Sequence, residues 1–182
     1  IYKKQITDKT FKINAKESNV TALTNITGSN DFVVGLLNGK LFLCSSTSSN
    51  PIVRELNSHK FAVKHIRHCQ VSSKRYIASC DTSSAIFIHE IDEESEKSSL
   101  KLVITLPLPI KSSLSITSNM EYILCPLTNG GLEIFNTMTN TRRTLEGSHT
   151  GSGNISELSK NEPWLITGIF NGILKVYRVS ND

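Results

Sequence analysis

The chain has 182 residues, 38% of them hydrophobic, and a formal net charge of +4. That is the size of one domain with enough apolar side chains for a core, and the modest charge argues against a dedicated nucleic-acid binder. No apolar run approaches the ~18 residues that a membrane-spanning helix needs, so no transmembrane segment is expected.

The chain starts at Ile1 rather than Met, which reads as an excised fragment from which a targeting segment could have been removed. The stretch Lys4 to Ile13 has the pattern of an isolated outer strand. From there a segment recurs four times, each copy holding a strand, a tight turn and a second strand. The turns are Asn38-Gly39, Ser83-Ser84, Asn129-Gly130 and Asn171-Gly172, and their second residues are 45, 46 and 42 positions apart. Asn-Gly is the preferred two-residue type I′ hairpin turn, because both central residues need positive φ. Ser83-Ser84 lacks that preference, so the second hairpin is expected to be less tightly specified. Two and four residues beyond each anchor stand Leu41 and Leu43, Ile86 and Ile88, Leu132 and Ile134, and Leu174 and Val176. Period-2 alternation puts each pair on one face of a strand.

Before each turn, an aromatic residue opens a strand: Phe32, Tyr76, Tyr122 and Trp164. Further upstream lies an innermost strand marked by Val20 with Leu23, Val63 with Ile66, Ser113 with Ile116, and Ile155 with Leu158. Outer strands follow in three repeats, at Pro51 to Leu56, Leu100 to Leu106 and Thr141 to Leu145, and the fourth repeat stops near Val179. Four strands per repeat and a period in the forties predict an all-β fold, a β-propeller of four-stranded antiparallel blades. The repeats run approximately over 14–56, 57–106, 107–146 and 147–182 in a single domain, with 4–13 an outer strand of the preceding or closing blade. Four blades are fewer than the seven usual for such propellers, so the array is read as part of a larger ring. Closure alone is the alternative, with Lys4–Ile13 completing the fourth blade. An unclosed array would need further blades or a partner chain.

On these residues the chain resembles the WD-repeat family over about Lys4 to Val179. The positions of that family's Trp-Asp dipeptide hold Cys44-Ser45, His89-Glu90, Phe135-Asn136 and Tyr177-Arg178. Its Gly-His step survives as Ser58-His59 and loosely as Gly147-Ser148-His149. Taking the family's structural Asp as the residue just before each anchor gives Asn38, Ser83, Asn129 and Asn171, so the family's hydrogen-bonded tetrad is expected to be degraded in every blade.

The resemblance implies a non-catalytic scaffold or adaptor for protein–protein interaction, within an intracellular multiprotein complex of the nucleus or cytoplasm. It places binding on the loops between outer and innermost strands: Asn57 to Lys64, Ile110 to Ser113 and Ser148 to Asn154. The partner-binding candidates are His59, Lys60, Lys64, Arg67, Lys111 and His149, and the expected partners are other protein subunits. Lys60 to Arg75 is the most basic stretch, with Lys74, His65 and His68 in it and His59 just before it, and offers either a phosphate-binding rim or a solvated strand edge. Nucleic acid is thus an alternative partner, though not the primary one. Glu90 to Glu96 is acidic and reads as a docking loop or a solvated one. Arg142-Arg143 raises phosphoinositide or membrane binding as a further alternative, without the flanking Phe and Gly of lipid-binding propellers.

No catalytic constellation emerges outside the repeats: no Ser/His/Asp set, no His-x-x-x-His step and no phosphate-cradling glycine loop. Asp81, just ahead of the second turn, is placed to cap it. Cys44, Cys69, Cys80 and Cys125 are 25, 11 and 45 residues apart, which fits no zinc spacing and reads as reduced core cysteines. No metal or cofactor is expected. Sequons at Asn19, Asn25 and Asn154 are explained by a composition rich in Ser, Thr and Asn.

Overall fold

A computed structural model describes residues 18–92, 97–110, 112–145, 155–158, 164–168 and 173–178. The alternating segments form antiparallel strands in four sheets that follow one another along the chain. The first holds β1 (Val20–Asn25), β2 (Asp31–Leu36), β3 (Leu41–Ser45) and β4 (Ile52–Leu56) in chain order. The second holds β5 (Val63–Val71), β6 (Lys74–Asp81), β7 (Ala85–Asp92) and β8 (Ser98–Thr105). The third runs through β9 (Ser115–Ile116), β10 (Tyr122–Pro126), β11 (Leu132–Asn136) and β12 (Thr141–Leu145). The fourth holds β13 (Ile155–Leu158), β14 (Trp164–Gly168) and β15 (Leu174–Arg178). These are the blades of a β-propeller. The outer strand expected at Lys4–Ile13 lies outside the described residues. Among the described residues no helix is long and apolar enough to cross a membrane.

Period 2 decides what each blade shows its neighbour. Leu41 and Leu43 pack with Val63, Ile66 and Ile77 of the second sheet. Ile86 and Ile88 pack with Ile123 and Cys125 of the third and with Leu114 just before it. Leu132 and Ile134 pack with Leu165 and Tyr177 of the fourth. Each fully buried Leu or Ile stabilises the stack by about 1.5–3 kcal/mol. Val63 and Ile66 are three residues apart and would face opposite ways on a regular strand. A register shift between Val63 and His65 brings both onto one face. The same irregularity falls between Val20 and Ala22, but here the structure corrects the expectation: Val20 and Leu23 are exposed and Ala22 packs inward. The four cysteines are free and buried. Burial pushes the thiol of Cys44 up to about 11 and those of Cys69 and Cys80 to about 12, which leaves them protonated and unreactive.

The three anchor turns among the described residues differ from the expected type I′, and Asn171-Gly172 lies outside those residues. Gly39 donates its N–H to the Leu36 carbonyl (3.1 Å), and Leu36 donates to the Lys40 carbonyl (2.9 Å). Gly130 and Leu127 repeat this pattern, at 3.1 and 2.8 Å. Only the second anchor residue has positive φ: 88° at Gly39, 74° at Ser84 and 86° at Gly130. These are three-residue hairpin loops, a type I turn closed by one left-handed residue. Asn38 and Asn129 therefore serve through their side chains, whose Oδ1 atoms accept the N–H of Lys40 (3.2 Å) and Gly131 (3.0 Å). Ser84 adopts the same backbone without glycine because Asp81 holds the loop from inside. Its Oδ1 accepts from Ser83 N (2.8 Å), Ser83 Oγ (2.7 Å) and Ala85 N (3.1 Å). The second hairpin is thus well specified, by a carboxylate in place of the Asn-Gly pair.

Candidate interaction surface

The loop from β4 to β5, residues 57–62, is held on both sides. His59 donates its backbone N–H to the Gly39 carbonyl of the first sheet's turn (2.9 Å), and Thr82 donates to the Ala62 carbonyl (3.0 Å). The contact at Gly39 is so close that an added Cβ would lie 2.2 Å from the His59 carbonyl oxygen. The His59 side chain is buried, with Nδ1 3.2 Å from Asp81 Oδ2 and Nε2 2.8 Å from Ser79 Oγ. Its ring stacks on Phe87 at 4.0 Å. Burial lowers the imidazole pKa and the Asp81 carboxylate partly opposes this. A neutral ring satisfies both contacts by donating Nδ1–H to Asp81 and accepting the Ser79 hydroxyl at Nε2.

This network corrects the expectation of a degraded tetrad in every blade. Asp81 lies three residues before its anchor rather than one, and it joins loop, strand and turn in the second blade. It also moves His59 out of the set of partner-touching residues, because its side chain has no exposed surface. What the fixed loop presents is Lys60 and Phe61. Phe61 is 46% exposed, with Lys60 Nζ 5.7 Å from its ring centroid. On the other side of Gly39, Leu37 is 53% exposed. Neither Phe61 nor Leu37 was singled out by sequence. The available signal was a lone large apolar residue inside a loop, at Ser58-His59-Lys60-Phe61, where no strand alternation explains it.

The other basic residues do not form one open patch. Lys64 reaches across to the Ile110 carbonyl (2.9 Å), and Arg67 donates to Ser113 Oγ and to the Ile66 carbonyl. Both tie β5 to the segment that leads into the third sheet. Arg75 pairs with Asp31 of the first sheet at 2.9 Å, and Lys74 with Glu90 at 3.1 Å. His68 Nε2 accepts the N–H of Thr27, which lies between β1 and β2, at 2.9 Å. His65 has its pKa pushed down to about 4, first by burial and then by Lys64 and Arg67. Lys111, His149 and the loop Ser148–Asn154 lie outside the described residues.

Glu90 and Asp92 belong to β7 rather than to an acidic loop, and Glu93 to Glu96 are outside the described residues. Glu90 accepts from Lys74, from Tyr76 Oη (3.0 Å) and from Lys101 (3.3 Å), so it links three strands of one sheet. His89 stands beside it, fully buried, with neither ring nitrogen in a hydrogen bond of ordinary geometry. Burial and the nearby His59 push its pKa down to about 4. Among the described residues no cluster of His, Cys, Asp or Glu is arranged to hold a metal.

No protein-family model matches the chain, and no curated protein matches it. Solved structures do. The β-propeller domain of Cps50 (Swd1) from Myceliophteria thermophila superposes with a TM-score of 0.77 at 13% identity, over 90% of this chain and 55% of that one. The C-terminal WD40 domain of Sif2 gives 0.69 at 18% identity, over 92% and 45%. The computationally designed Ika4 protein gives 0.68 at 14% identity, over 96% and 100%. The chain thus has the fold of a WD40-type β-propeller and spans about half the length of the two natural domains.

Proposed function

We propose that this chain is a non-catalytic interaction scaffold, part of a larger propeller that serves within an intracellular multiprotein complex. Its partner surface is the edge bearing Lys60, Phe61 and Leu37. The observation that carries this reading is the exposure of the large apolar Phe61 on a loop whose backbone is held from both sides. A side chain held in place before docking loses little conformational freedom when it binds, so its buried area converts more fully into affinity. Aromatic anchors of this kind, with a cationic neighbour at the rim, dominate many interfaces. Lys64, Arg67 and Arg75 are engaged within the fold, which leaves the nucleic-acid alternative less surface to act through.

The test is quantitative co-purification of the full-length protein from cells, wild type against a Lys60→Glu, Phe61→Ala variant of matched melting temperature. A defined set of proteins should fall by about tenfold or more, since a truncated anchor costs roughly 2 kcal/mol. An unchanged set would remove this surface from the account.

A further inference from the structure

On the face that the second sheet turns to the first, His68, Ile77 and His89 lie in one row across β5, β6 and β7, and Ile66, Ser79 and Phe87 in the next. The 57–62 loop reaches onto this face with the His59 side chain, which Asp81 and Ser79 hold. Three rings follow one another there. His59 stacks on Phe87 at 4.0 Å, and Phe87 is 6.3 Å from His89. His89 has no exposed surface, and neither of its ring nitrogens makes an ordinary hydrogen bond. The polar group that favours its charged form is the backbone of Asn57, the first residue of the loop.

A ring in this position is stable only while neutral, because the groups around it offer an imidazolium no free carboxylate among the described residues. Asp81 is committed to His59 through Oδ2 and to the turn through Oδ1. Asp31, on the face of the first sheet turned this way, is paired with Arg75. Arg54 shares the face of Leu43 on that sheet and adds positive charge, and His68 is occupied by Thr27. From β8 the neighbours are Leu100 and Val103, both apolar. Burial accordingly holds the His89 ring neutral down to about 4, with His59 acting in the same direction. A proton taken up by His89 needs hydration, so something must move to admit water. The strands on either side, β6 and β8, are held by long ladders. The loop is held by two backbone hydrogen bonds, His59 to Gly39 and Thr82 to Ala62, and by the His59 ring. It is the part that opens at least cost.

We propose that His89 is an acid-operated latch on the 57–62 loop. Its protonation releases the loop and withdraws the Lys60–Phe61 surface, while β5 to β8 stay paired. The open loop accepts a proton that the closed loop excludes, so falling pH drives opening. The effect on partner binding rests on the Lys60–Phe61 surface being the docking site; the release of the loop does not.

Amide hydrogen exchange on the full-length protein reads the loop directly, through His59 N–H and Thr82 N–H. A histidine that titrates near 6.5 when the loop is open and near 4 when it is closed gives about twentyfold more opening at pH 5 than at pH 7, after correction for intrinsic exchange rates. In His89→Phe and in His89→Gln most of this rise should disappear. At both pH values the amides of β6 should stay more protected than the two loop amides. No rise in the unaltered protein would overturn the latch. So would a full rise in both variants, or loop amides that open only together with β6. The link to binding has its own readout. Proteins that co-purify through Lys60 and Phe61 should be lost from wild type at pH 5 and kept by His89→Phe. Equal loss from both would overturn that link and leave loop release standing.

Discussion

His89 is a fully buried imidazole that lacks a well-formed hydrogen bond, and this makes the fold sensitive to acid. In the unfolded chain a histidine takes up its proton near pH 6.5, whereas burial holds His89 neutral down to about 4. Between those values the unfolded state binds more protons, so stability falls as the pH is lowered through that window. From pH 7 to pH 5, His89 alone should account for about 2 kcal/mol of lost stability. His65, with its pKa also near 4, and His59, lowered by burial, act in the same direction. Urea melts at the two pH values check this. In His89→Phe the difference between them should shrink by roughly that 2 kcal/mol, and an unchanged difference would show that other groups carry the acid sensitivity. The sequence placed His89 at the position of the family's tryptophan, but not the depth of its burial, which depends on how the blades stack. Asp81 was legible as a turn cap from its place before Ser83. Its second task, holding His59 from 22 residues away, was not, because local patterns do not encode which loop folds back over a strand.

The elements were read well where their signal is periodic. The anchor spacing and the alternation after each anchor located β2 and β3, β6 and β7, β10 and β11, and β14 and β15. Hairpin type was misread because Asn-Gly fits two loops: the two-residue type I′ turn and the three-residue loop seen here, which needs positive φ at only one residue. This difference has consequences at two positions. Gly39 has φ 88° and leaves no room for a Cβ against the His59 backbone. Gly39→Ala should therefore cost about 3 kcal/mol through strain and displacement of the 57–62 loop. Thermal unfolding reads the cost, and a loss below about 1 kcal/mol would mean that the loop moves aside easily. Ser84 occupies the matching site at φ 74°, where a left-handed residue with a Cβ is strained by about 1–2 kcal/mol. Ser84→Gly removes that strain but frees the unfolded chain, so a net gain of about 0.5–1 kcal/mol is expected. A loss instead would mean that the buried Ser84 side chain holds more of the turn than its backbone does.

At the scale of the whole chain, one repeated position behaves differently in the last blade. The residues two and four beyond each anchor are buried against the following blade in the first two sheets and largely so in the third. In the fourth sheet their counterparts, Leu174 and Val176, are 72% and 60% exposed, on a face shared with Ile166 and Trp164. A contiguous apolar sheet face of this kind draws a partner or self-associates. A four-bladed ring closed on itself would bury that face. The exposure therefore favours an array that needs another surface to complete it. Light scattering on the 182-residue chain alone should give a mass above that of the monomer, about 20 kDa. Leu174→Lys with Val176→Thr should return it toward monomer without lowering the melting temperature, because these side chains stabilise little while they face water. A monodisperse monomer in the unaltered chain, destabilised by the same substitutions, would instead mean that Leu174 and Val176 are covered in solution. Closure as a self-contained four-bladed ring would then be the better description.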